Sequence, residues 1–354
     1  MTHVIKDLRI RNTQPLITPA VLADELPVPA SLTDQVYAAR QTIKNILTGA
    51  DPRLLAIVGP CSIHDVAAAL EYARGLKTLA DEFQDVLYTV IRVYFEKPRT
   101  VVGWKGLIND PDLDGSFHIN RGLHLARQLL LEVGAIGLPA ATEFLDTTFG
   151  QYYAELVSLG AIGARTVESQ IHRELVSGLS MPVGIKNRTD GNIDVAIEAM
   201  QAARHGHWFP SLTPEGAPAI LETTGNADTC LILRGGKESG PNYQAGDVRR
   251  AERKLTDAGI NPAIVIDCSH GNSGGDPDRQ VEALRDLAGQ LASGNNSIRG
   301  VMLESNLKAG KQKPDKRENL IYGQSITDAC LSLSCTATAL GDFATSLRQM
   351  GRGR

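Results

Sequence analysis

Side chains able to bind anions or a metal recur at one place in the pattern, just past the C-terminal end of a short apolar run. Cys61 follows AIVGP, Arg92 closes the next run with Lys97 and Arg99 close behind, and Glu143, Arg165, Lys186, Arg234, His270 and Glu304 follow the other six in order. These residues form two chemical groups. Arg92, Lys97, Arg99, Arg165, Lys186 and Arg234 are cations; a guanidinium matches phosphate or carboxylate bidentately, while lysine acts as a point charge and proton donor. Six exceed the need of one monoanion and suit a substrate pair carrying two phosphates and a carboxylate. Cys61, His270, Glu304 and the later Asp328 in YGQSITDAC offer a thiolate, an imidazole and two carboxylates. That set suits one divalent transition ion (Mn, Fe, Co or Zn) better than Mg²⁺ or Ca²⁺, which take oxygen shells. Taken singly, each residue has a plain structural role: a rim ion pair, a small core thiol, a hydrogen-bonded loop histidine. The chemistry rests on their convergence.

The elements that must bring them together are eight apolar runs, at 54–58, 87–93, 137–141, 160–163, 182–185, 230–233, 263–266 and 300–303. Apolar on both faces, they read as buried parallel strands. Between them lie segments of helical period, including Val66, Leu70, Ala73 and Leu76, then Ile171, Leu175 and Leu179, then Ile193, Ile197 and Met200, then Val281, Leu284 and Leu291. Ser62, Asp146 and Asp190 stand where helix caps belong. The economical closure is a (β/α)8 TIM barrel over 51–354, whose chemistry gathers at the C-terminal ends of the strands. An open doubly wound sheet is the alternative, but GxGxxG is missing after the first run. Residues 1–50 form an N-terminal helical extension, with one amphipathic helix through Val36, Ala39, Ile43, Ile46 and Leu47 closed by Gly49. Segment 204–225 reads as an inserted β-hairpin before the sixth barrel strand.

A net charge of −4 supplies no global field for nucleic acid or an anionic membrane, so any anion site must be built locally. No stretch approaches 18 uninterrupted apolar residues. Five cysteines without a CxxC pair, behind a polar N-terminus, point to a reduced cytoplasmic protein. Cys268, Cys330 and Cys335 read as buried hydrophobes, and His205 and His207 as solvated. RGGKES lacks the P-loop frame. Lys308, Lys311, Lys313 and Lys316 read as a solvated loop.

At these residues the chain resembles the type I, enterobacterial-like and feedback-regulated class of 3-deoxy-D-arabino-heptulosonate 7-phosphate (DAHP) synthases. The matching segments are GPCSIHD (59–65), RVYFEKPRTVVGWKGLINDP (92–111), GAIGARTVESQIHRE (160–174), PVGIKN (182–187), LRGGK (233–237), DCSHGNS (267–273), ESN (304–306) and YGQSITDAC (322–330). The resemblance implies a metal on Cys61, His270, Glu304 and Asp328. It implies phosphoenolpyruvate on Arg92, Arg165, Lys186 and Arg234, helped by Glu143 and the backbone of Ala164. Lys97 would bridge the substrates as a proton donor of lowered pKa, and Arg99 and Thr100 would grip the phosphate of erythrose 4-phosphate. It further implies an aromatic amino acid effector near Asp7, Gln151, Leu175, Leu179, Ser180, Phe209 and Ser211, and a homo-oligomer, dimer or tetramer, with residues 1–50 at an interface. Gly150 stands where proline is common, Arg188 replaces a usual glycine beside Lys186, and SLSCTAT (332–338) departs from the family pattern. Another phosphoenolpyruvate–aldose phosphate condensing synthase, or a non-catalytic effector-binding paralogue, are the competing readings.

Overall fold

The computed structural model describes His3 and residues 5–99 and 101–352. Two helices, α1 (Pro19–Glu25) and α2 (Ala30–Thr48), precede the first strand. There follow β1 (Leu54–Gly59), α3 (Val66–Glu82), β2 (Leu87–Arg92), α4 (Ile119–Ile136), β3 (Ala140–Glu143), β4 (Leu159–Ile162), α5 (Gln170–Gly178), β5 (Val183–Lys186) and α6 (Asp194–Ala203). The hairpin β6 (Trp208–Leu212) and β7 (Pro218–Glu222) intervenes before β8 (Thr229–Leu233), α7 (Ala245–Asp257), β9 (Ile264–Asp267), the single turn α8 (His270–Ser273), α9 (Arg279–Ala292), β10 (Ile298–Asn306), β11 (Leu331–Ser332) and α10 (Leu333–Gln349).

Strands β1, β2, β3, β4, β5, β8, β9 and β10 pair in parallel in that order, and β1–β10 pairing closes the barrel. Their residues are buried almost throughout because helices cover the outer face and side chains fill the inside, as a parallel barrel requires. The closure register sets Gly59 against Glu304. It therefore delivers Cys61 and Glu304, far apart in sequence, to adjacent positions on one rim.

Helix α2 runs as the periodicity predicts, and Gly49 ends it in the left-handed conformation that glycine adopts without a Cβ penalty. The hairpin also forms where predicted, with Phe209 opposite Leu221. Several local expectations are corrected. Asp65, not Ser62, caps α3, its carboxylate accepting from Ala68 N. Asp190 bonds Asn192 N ahead of α6 and does not cap it. The third strand starts at Ala140 because Gly137 terminates α4. Two 3₁₀ turns, Phe149–Tyr152 and Ala154–Leu156, replace a helix between β3 and β4; Thr148 is the N-cap of the first, and Asp146 Oδ1 accepts from Thr148 N at 2.7 Å just ahead of it. Ile171 is exposed, so the apolar face of α5 centres on Leu175 and Val176. Cys335 is exposed, whereas Cys268 and Cys330 are buried.

Candidate functional site

Side chains from beyond β1, from the last residues of β10 and from the approach to β11 meet first. One ligand atom from each of Cys61, Glu304 and Asp328 lies within 4.8 Å of the others. The Cys61 thiol donates to Asp328 Oδ2 at 3.4 Å, and Asp328 N returns a contact to the sulfur at the same distance. Burial, reinforced by Glu304 and Asp328, pushes the thiol up to about 12. Burial opposes ionisation of Asp328, but Lys97, His270 and the Cys61 bond hold its carboxyl down to about 2. A buried thiol between two carboxylates becomes a thiolate when a cation occupies their common space, so the donor set fits a thiophilic divalent ion.

His270, from beyond β9, stands beside this group but is not among the three whose ligand atoms lie within 4.8 Å of one another. Its Nε2 is 3.5 Å from Glu304 Oε1 and its Nδ1 is 3.0 Å from Asp267 Oδ2, in ion-pair range though out of line for an N–H bond. The residue sits at φ 54, an uncommon backbone for histidine and one that recurs at functional sites. Glu304 is positioned on both carboxylate oxygens, by Arg92 Nη2 at 3.0 Å and Ser269 Oγ at 2.9 Å. Gln280 pins its backbone in both directions.

Beside this cluster opens a cavity of ≈ 470 Å³. Lys97, Arg99, Glu143, Ala164, Arg165, Lys186, Arg234, His270 and Asp328 all line it. Of the expected site residues, Arg92, Cys61 and Glu304 are fully buried and do not line it. Arg92 is fully buried, with its guanidinium 4.0 Å from the Tyr94 ring centroid and paired to Glu304. Thr100 lies outside the described residues. Lys97 departs from expectation: burial pulls its pKa down, but Cys61, Glu304 and Asp328 outweigh that and raise it, so it remains an ammonium. Its Nζ is 4.0 Å from Asp328 Oδ2. Arg188 is turned away, ion-paired to Glu168 and Asp190, and does not enter the cavity.

Sequence reasoning passed over three contributors. Asp267, fully buried, bonds Lys186 Nζ at 3.0 Å and faces His270. Lys237 and Lys311 line the cavity; Lys311 belongs to the loop expected to be solvated. The motifs DCSHGNS and LRGGK, whose first and fifth residues are Asp267 and Lys237, flagged these two only as neighbours of named residues. Glu143 Oε1 is buried without a partner among the described residues, and a Cβ on Gly163 would stand 2.1 Å from it, so glycine is needed there for the carboxylate to reach the cavity.

A second cavity, ≈ 580 Å³, lies behind the β3–β4 turns. Gln151, Leu175, Leu179, Ser180 and Phe209 line it, together with Gly150 and Arg40. Ser211, further along β6, and Asp7, exposed in the N-terminal arm, do not.

Residues 28–340 match the model of the DAHP synthetase I family. The Trp-sensitive phospho-2-dehydro-3-deoxyheptonate aldolase of Enterobacter agglomerans is 53% identical over 325 residues, covering 92% of this chain and 93% of that one. The Phe-sensitive enzyme of Escherichia coli K12 is 50% identical, covering 98% and 99%. A solved phospho-2-dehydro-3-deoxyheptonate aldolase from Francisella tularensis superposes with a TM-score of 0.93 at 49% identity, covering 96% and 98%.

Proposed function

The chain belongs to the DAHP synthetase I family, and from that premise we propose how its own residues perform the reaction and where it is regulated. The activity is the condensation of phosphoenolpyruvate with erythrose 4-phosphate and water to DAHP and phosphate, the first step of the shikimate pathway, sensitive to an aromatic amino acid. The observation that carries the site assignment is the close group of Cys61, Glu304 and Asp328 beside one cavity, which Asp328, His270 and the cations line.

Arg165, Lys186 and Arg234 hold the phosphate and carboxylate of phosphoenolpyruvate beside the backbone of Ala164, with Arg92 supporting them. Lys186 is kept charged and aimed by Asp267. Glu143, whose Oε1 lacks a partner among the described residues, can accept from a water at the carbon that carries the phosphate. Arg99 and Thr100 take the phosphate of erythrose 4-phosphate. Cys61, His270, Glu304 and Asp328 would hold the divalent ion, which when bound supplies Lewis-acid polarisation of the aldehyde. Attack by the methylene carbon of phosphoenolpyruvate forms the new carbon–carbon bond, water adds to the adjacent carbon, and phosphate leaves. The Lys97 ammonium, between the two subsites, donates to the aldehyde oxygen as it becomes a hydroxyl.

The second cavity is the effector site in this reading, supported by its apolar wall of Leu175, Leu179 and Phe209 and the polar Gln151 and Ser180. Relatives of nearly equal identity respond to tryptophan and to phenylalanine, so separate inhibition assays with phenylalanine, tyrosine and tryptophan identify the ligand. A homo-oligomer is supported by the exposed apolar Ile5, Leu8 and Ile10 of the N-terminal arm and Trp208 and Ile220 of the hairpin. A reducing cytoplasm is supported by five free thiols. No helix among the described residues is long and apolar enough to cross a membrane.

The site assignment is tested with Cys61→Ala. The variant should keep its circular dichroism spectrum, lose stoichiometric metal by elemental analysis and show no metal-dependent consumption of phosphoenolpyruvate. Wild-type turnover in it would remove the ligand set.

A further inference from the structure

Lys311 stands apart from the other lysines of its loop. Its backbone is clamped to the segment that carries Asp328: Gly310 N bonds Cys330 O at 2.8 Å, Cys330 N bonds Gly310 O at 3.1 Å, and Gln312 N bonds Ser325 O at 2.8 Å. Gly310, at φ 84, permits the turn that makes this clamp. The side chain so rooted lines the substrate cavity with Lys97, Pro98, Arg99, Thr327 and Asp328. Among the described residues no carboxylate lies within ion-pair distance of it, whereas Lys97 and Lys186 each have one.

Its place in the cavity selects which substrate it can meet. Arg165, Lys186 and Arg234 root at the ends of β4, β5 and β8. Lys311 roots instead on the segment that carries Asp328, and its side chain shares the cavity with Lys97 and Arg99. Arg99 gives its Nε to Trp104 O at 2.9 Å, and among the described residues its terminal amino groups have no hydrogen-bond partner, which suits them to one edge of an anion. A dianionic phosphate there would have a second edge to satisfy.

We propose that Lys311 is a substrate-binding residue that, with Arg99, receives the phosphate of the aldose phosphate. This rests on the reading of the cavity as a DAHP synthase site. The loop joining β10 to β11 then senses occupancy of the second subsite and contributes to the choice of a phosphorylated aldose.

Steady-state kinetics on the metal-loaded wild type, Lys311→Met and Lys311→Arg decide it. Loss of one charge-assisted contact should raise KM for erythrose 4-phosphate on the order of tenfold in Lys311→Met. KM for phosphoenolpyruvate and the Mn²⁺ activation constant should stay at wild-type values, and Lys311→Arg should restore most of the loss. An unchanged KM for erythrose 4-phosphate overturns the proposal. So does a rise confined to phosphoenolpyruvate, or a parallel shift in the Mn²⁺ constant, which would mean that Lys311 acts through Asp328. A wild-type protein that fails to turn over the two substrates would instead remove the underlying reading.

Discussion

Asp267 has no exposed surface, and one of its oxygens meets both Lys186 Nζ and His270 Nδ1 at 3.0 Å. Burial opposes its ionisation, yet His270, Lys186 and Arg92 hold the carboxyl well below its ordinary range. In the proposed assignment, one charge thus orients a phosphoenolpyruvate-binding cation and a metal-binding ring together, as carboxylates behind ligating histidines do. Asp267→Asn keeps the shape but leaves Lys186 without a counter-charge. It should lower the unfolding free energy by about 3 kcal/mol, read in urea titrations, and cut kcat by roughly a hundredfold or more. An active variant of unaltered stability would show that the pairing is incidental. Residue types at strand ends were legible because an ion on a buried strand's last turn is conspicuous against an apolar run. Asp267 was not, because its meaning lies in a partner 81 positions away. Lys311 was hidden among neighbouring lysines that only the clamp to Cys330 and Ser325 distinguishes.

Six of the eight runs became barrel strands to within one residue at each end, and the last lies inside the longer β10, because burial on both faces writes a continuous apolar signal. The third, 137–141, begins too early because Gly137 at its head closes α4, and the β3–β4 crossover carries no amphipathic period to announce its 3₁₀ turns. The hairpin was legible from its turn residues. Its attachment was not: Thr223 N bonds His207 O at 2.9 Å, and Thr223 Oγ1 lies 2.6 Å from Ser177 Oγ. That pairing means residues 208–222 can be excised and 207 joined to 223 through an Asn-Gly turn without disturbing β5 or β8. Removing Phe209 uncovers Leu175 and Leu179, so stability should fall by roughly 2 kcal/mol. The truncated enzyme should turn over within about threefold of wild type, a change well under 1.4 kcal/mol in barrier, and lose inhibition by every aromatic amino acid. Retained inhibition would place the effector elsewhere.

At the scale of the whole molecule, an acidic chain surrounds a cationic cavity. The net charge is −4, yet Lys97, Arg99, Arg165, Lys186, Arg234, Lys237 and Lys311 line the cavity against only Glu143 and Asp328. Low-dielectric walls concentrate that field at the mouth, so both phosphorylated substrates are drawn in against the global charge. The contribution of the field differs from that of direct contacts in its response to salt. Screening lengths fall from above 10 Å to a few ångströms as ionic strength rises from about 0.05 to about 0.5 M, which removes long-range attraction and spares pairs already in contact. Raising KCl across that range should therefore increase KM for both substrates by roughly threefold to tenfold and leave kcat within about twofold. The slope should be shallower in Lys311→Met for erythrose 4-phosphate alone, since one charge has left its side of the cavity. A KM independent of salt would mean that contact geometry alone selects the substrates, and that the surplus cations serve the bound state without steering the approach.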